Sequence, residues 1–170
     1  MAISMYQASV PVFARALQVL STLLDKGVEH ARAQGQDPDT LVRARLAPDM
    51  LDLAGQVQRA SDASKLALQR LTGIEAPRFA DEEASCAQLQ QRIADTLAYV
   101  NSVAEDQLAD AQSREVVIRF KDFEQSFRGD AYLLSFALPN FFFHITTAYD
   151  ILRHVGVPLG KRDYLGPYRQ

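Results

Sequence analysis

One cysteine in 170 residues, Cys86, leaves no partner for an internal disulfide and no CxxC or Cys/His spacing for a structural zinc site. That scarcity favours a reducing compartment, so a cytoplasmic location is expected. The chain also lacks any run approaching the roughly 20 apolar residues of a membrane span. Its first stretch, MAISMYQASVPVFARALQ, has no basic segment ahead of an apolar core, and neither an export signal nor an anchor is expected. An excess of one charge is missing too. The formal net charge of −3 gives no electrostatic ground for nucleic acid or an anionic membrane as partner. Internal repeats and low-complexity segments are absent. What is present, 48 % hydrophobic and 23 % charged residues, is the composition of one globular domain spanning residues 1–170.

Apolar residues then set the elements. Ile3, Tyr6, Val10, Phe13, Leu17, Leu20, Leu24, Val28 and Ala31 recur at steps of three and four, which predicts one long amphipathic helix to about residue 33. Pro11 lacks an amide donor, so either the regular helix starts near Ser9 as cap or a leading turn is kinked there. Asp37 and Pro38 read as cap and first position of a short helix over DTLVRAR, and Pro48 opens a second long helix in the same manner. Its stripe is Met50, Leu53, Val57, Ala60, Ser64, Ala67 and Leu71, closed by Gly73. Ser85 and Gln88 have capping-box spacing ahead of a third helix on Leu89, Ile93, Leu97 and Val100.

The period changes at REVVIRFKDFEQSFRGD, where β-branched and aromatic residues flank Lys121 and Asp122, as in a hairpin with strands at 115–120 and 123–128. Asp130 is expected to cap the last helical region, with Pro139 breaking it and Gly156 and Pro158 stopping it. Apolar residues occur all round 131–152, which predicts the most buried helix. The tail at about 157–170 has no periodicity and should wrap the surface. Four long helices with a hairpin before the last make a four-helix bundle, whose core is where such folds build ligand or metal sites.

The segments LAPDMLDLAGQVQRASD, FALPNFFFHITTAYDILRH and GVPLGKRDYLG resemble those of the DUF1993 family, and the likeness runs from Met5 to Gly166. That family is similar in turn to the DinB/YfiT-like superfamily of four-helix bundles, many of which hold a divalent metal on three histidines. The resemblance implies an all-α, DinB-like bundle with a short β-hairpin inserted before the last helix. Metal-binding members carry one histidine on the second helix and an HxxxH pair on the last, a few residues before a Leu-Arg pair. Aligned on Leu152 and Arg153, the pair falls on Asn140 and His144, and the second-helix position falls on Gln56 or Val57. Two of three histidines are missing, and a carboxamide is a weak ligand beside imidazole or carboxylate, so a degenerate site with no metal and no cofactor is expected.

His144 and Asn140 also share the stripe Leu133, Ala137, Asn140, His144, Ala148 and Ile151, which would point both between the helices. A polar pair there must be satisfied by each other, by a backbone carbonyl or water, or by a ligand. Other candidates carry less. Cys86 lies in a first helical turn, where the dipole could lower its thiol pKa, but it has no basic neighbour in sequence. Asp150, Arg153 and His154 suit a solvated helix C-terminus. Asp49, Asp52 and Asp62 share no stripe that would make an acid–base pair. NFFFH reads as core or subunit interface before it reads as a ligand cage. No catalytic constellation emerges. The expectation is a homodimeric bundle binding a small molecule in a polar-lined pocket at His144, Asn140 and Gln56. The alternatives are a metal-dependent thiol S-transferase or isomerase of the DinB-like type, or a non-catalytic structural or partner-binding bundle.

Overall fold

A computed structural model describes residues 3–167. The first long helix, α1, spans Val10–Ala33 with Ser9 at its N-cap position and Pro11 in its first turn, where a missing amide is harmless. Ser9 does not cap through its side chain; the hydroxyl donates back to the Met5 carbonyl at 2.6 Å. Ile3 lies ahead of the helix and is exposed, so the stripe begins later than its spacing suggests. Asp37 caps a 3-10 turn, Pro38–Arg43, by accepting from the Asp39 amide.

Helix α2, Leu53–Thr72, starts five residues beyond Pro48, contrary to the expectation from proline. Asp52 is the reason: its carboxylate accepts from the Gly55 amide at 2.9 Å and is ion-paired with Arg43 and Arg45. Gly73 ends the helix at φ 84, a left-handed conformation that glycine adopts without a Cβ clash. Helix α3, Cys86–Ser102, opens on the full Ser85–Gln88 capping box.

The hairpin lies where the β-branched run places it, β1 at Glu115–Phe120 and β2 at Phe123–Arg128, antiparallel with Val116 opposite Phe127. Helix α4, Gly129–Tyr132, comes directly after it, and Arg128 takes the cap position expected for Asp130, which sits inside the first turn. Pro139 does not break the last helical region. A π turn, Leu133–Ala137, joins α4 to α5, Leu138–His154. The wide turn lets the chain continue past a residue that has no amide and whose ring would crowd the carbonyl four positions back.

Around the bundle the order is α1, α3, α2, α5, so α1 and α2 stand diagonally and the long 34–52 connection crosses between them. Phe13 of α1 meets Phe141 of α5 edge-on at 5.0 Å near the centre. Small residues of α2, Ala54, Ala60 and Ala67, let its neighbours approach closely. The last helix is not buried all round: Leu134 and Phe143 are more than half exposed. The tail also has more structure than its sequence suggests. Val157 and Leu159 are buried, and a short helix α6, Lys161–Leu165, is tied to α1 by Lys26–Asp163 at 2.6 Å. The remainder of that tail, residues 168–170, lies outside the described residues.

Candidate functional site at His144 and Gln56

Gln56 sits in the first turn of α2, almost fully buried, and its carboxamide is oriented by the backbone: Nε2 donates to the Leu51 carbonyl at 3.2 Å. Oε1 therefore faces α5, where it lies 2.8 Å from His144 Nδ1. An amide oxygen can only accept, so Nδ1 carries the proton and Nε2 presents its lone pair. Burial pushes the imidazole pKa below 6.5, and the charge of Arg59 lowers it further, so the ring is neutral near pH 7. Among the described residues Nε2 has no hydrogen-bond partner, and it is not sealed in, since Arg92 Nε is the buried side-chain polar atom without one. The ring stands edge-on to half-exposed Phe143 at 5.2 Å, and exposed Leu51 supplies the carbonyl that holds Gln56.

Asn140 does not join this pair; it is exposed. The π turn accounts for the difference. Core positions run Leu133, Ala137, Phe141, Ile145, Ala148, Leu152, so the buried face is carried one residue beyond Asn140 and His144. One residue is about 100° of helix, enough to leave His144 on the edge of the core and Asn140 outside it. Val57 is fully buried core. Two grooves flank Arg15 and Val19 on α1, and neither includes His144 or Gln56.

No group of three or more His, Cys, Asp or Glu side chains among the described residues could hold a metal ion. The superfamily's three-histidine metal does not fit here, because one imidazole, one carboxamide engaged with the backbone and one outward-facing asparagine do not converge. Cys86 is likewise unsuited to nucleophilic work. Its thiol is buried, donates to the Pro38 carbonyl at 3.3 Å, and is pushed up to about 11 by burial and the Asp39 carboxylate, which outweigh any help from the helix start. Asp52 is occupied as a cap, while Asp49, Asp150 and His154 lie on the surface.

A charge cluster between α2 and α3 was not anticipated. Arg92, 3 % exposed, donates to Asp62, Asp81 and Glu83 at 3.0, 2.6 and 2.9 Å. Arg59 pairs with Asp62 and Asp81, and Lys65 with Asp62. Phe79 lies under both Lys65 and Arg92, at 4.9 and 4.8 Å from its ring centre. The signal in the sequence was Arg92 beside Ile93 on the inward stripe of α3.

A helical bundle with a hairpin ahead of its last helix defines a DinB-like fold. The chain belongs to DUF1993, a domain of unknown function, whose family model matches residues 5–165. It is similar to a solved structure, a DinB family member protein from Shewanella denitrificans, at 39% identity and TM-score 0.89, over 98% of this chain and 95% of that one. No curated protein matches it.

Proposed function

We propose that this protein binds a small molecule at the His144–Gln56 pair, with His144 Nε2 accepting a hydrogen bond from a ligand O–H or N–H. The observation that carries this is a neutral imidazole whose tautomer is held by a buried carboxamide and whose second nitrogen faces outward unpartnered. Phe143 and Leu51 offer apolar contact beside it. Catalysis is not part of the proposal. A long-range proton–nitrogen NMR spectrum near neutral pH tests it. Nε2 of His144 is expected at the shift of an unprotonated ring nitrogen, and a protonated Nε2 would sink the idea. The metal-dependent transferase alternative finds no donor set among the described residues. Stoichiometric zinc or nickel in protein purified without chelator would restore it.

We further propose a cytoplasmic homodimer, supported by the exposed Phe120, Leu134 and Phe143. Light scattering at micromolar concentration is expected to give twice the chain mass of 18.9 kDa, and the chain mass alone would remove this part.

A further inference from the structure

Arg59 stands one helical turn after Gln56 on α2, the spacing that brings side chains onto one face. Gln56 on that face holds the His144 ring, and, beyond burial, the Arg59 charge lowers the pKa of the imidazole. The Arg59 side chain is 40% exposed, and both of its partners are carboxylates. Asp62 is the nearer in sequence, at 3.1 Å on the same helix. Asp81 comes from the 73–85 loop, where its backbone sits at φ 58, a left-handed conformation that aspartate visits more readily than most non-glycine residues.

The two oxygens of Asp81 have different partners. Oδ1 accepts from the buried guanidinium of Arg92 at 2.6 Å, whereas Oδ2 accepts from Arg59 at the rim. Should Arg59 leave, Asp81 keeps its bond to Arg92 and its charge stays paired. Partly exposed ion pairs contribute little to stability, so Arg59 is the member of the cluster that can be exchanged at small loss. A guanidinium suits a planar carboxylate or a phosphate, each of which takes two parallel N–H donors.

We propose that the ligand accepted at His144 carries an oxyanion, a carboxylate or a phosphate, which is bound by Arg59 in place of Asp81. Arg59 and His144 would then grip two ends of one molecule, the guanidinium donating to the anion and Nε2 accepting from a neighbouring hydroxyl or amine. This rests on His144 as an acceptor, but the two ideas are tested apart. The imidazole nitrogen shifts of the free protein judge the first, and an anion titration judges the second.

The titration tracks the Arg59 side-chain N–H and the His144 ring protons by NMR while inorganic phosphate or, separately, acetate is added at constant ionic strength. Saturable shifts of both residues are expected in the wild type with at least one anion, and the arm that saturates at lower concentration assigns phosphate or carboxylate. Arg59→Gln should abolish saturation while leaving Nε2 of His144 unprotonated in the free protein near neutral pH, because burial, the larger cause of the lowered imidazole pKa, remains. Arg59→Lys should weaken binding several-fold through loss of the two-pronged contact. Asp81→Asn should tighten it several-fold by freeing the guanidinium. Shifts that stay linear with both anions, or that persist in Arg59→Gln, would overturn the proposal. An Asp81→Asn protein that binds no more tightly would overturn the exchange with Asp81.

Discussion

At the scale of single residues, the difference between His144 and Asn140 is one of partners. Removing His144 strips the buried Gln56 oxygen of its donor and opens a small cavity, a loss of about 1–3 kcal/mol. Asn140 is exposed, so His144→Ala should lower the urea midpoint clearly while Asn140→Ala moves stability by no more than about 0.5 kcal/mol. Equal losses from the two would show that Asn140 is part of the network after all. The same histidine sets a pH dependence. Its folded pKa lies below 6.5, so under mildly acidic conditions the unfolded chain binds the proton that the folded ring refuses. Stability is whole above about pH 6.5 and declines as pH falls from there through the lowered folded value. His144→Gln should flatten that decline in chemical denaturation series, and an unchanged slope would assign it to other groups.

Elements were legible wherever one local signal ruled and misjudged where two competed. Alternating β-branched residues around Lys121 and Asp122 fixed both strands to the residue, because no helical stripe crosses 115–128. Pro48 misplaced the start of α2, since a proline marks where a helix can begin but a capping carboxylate decides where it does, and Asp52 lies four residues on. Pro139 misled in the opposite direction: the widened turn before it preserves the helix and shifts its inward face, which leaves Asn140 outside while His144 meets Gln56. The junction of β2 and α4 makes a sharper demand. A Cβ on Gly129 would stand 1.8 Å from the Ala111 carbonyl oxygen, so neither the hairpin nor the 104–114 connection could keep its place. Gly129→Ala should destabilise the fold at the upper end of the about 1–3 kcal/mol typical of overpacking. Gly160→Ala, whose added methyl meets nothing nearer than 3.9 Å, should be close to neutral in thermal melts. Matching melting temperatures for the two would contradict this view of the junction.

Across the whole molecule, three bases and three acids hold the 73–85 loop over the α2–α3 face, and they balance: Arg59, Lys65 and Arg92 against Asp62, Asp81 and Glu83. Sequence alone could flag Arg92 as a charge on an inward stripe, but its acids sit 9 to 30 residues away in positions that only the closed loop brings together. A buried cation of this kind adds little over an apolar residue when the network is complete, yet its loss strands the acids around it. Burial raises the pKa of Asp81 and Glu83, but hydrogen bonds and charge from Arg92, with Arg59 helping at Asp81 and Gln58 at Glu83, outweigh it and leave both lowered. Carboxylates lowered in this way contribute stability above their ordinary values of 3.8 and 4.5, and that contribution disappears as pH falls through the folded ones. Arg92→Met should therefore destabilise the protein by about 3 kcal/mol near neutral pH, at the low end of the range for a broken buried pair because its acids are partly exposed. The gap from the wild type should close as the acids take up protons. Limited proteolysis at Arg78, in the middle of the loop, should quicken in the variant at neutral pH and match the wild type in acid. A stability difference that persists unchanged into acid would mean that packing against Phe79, not charge, holds the loop in place.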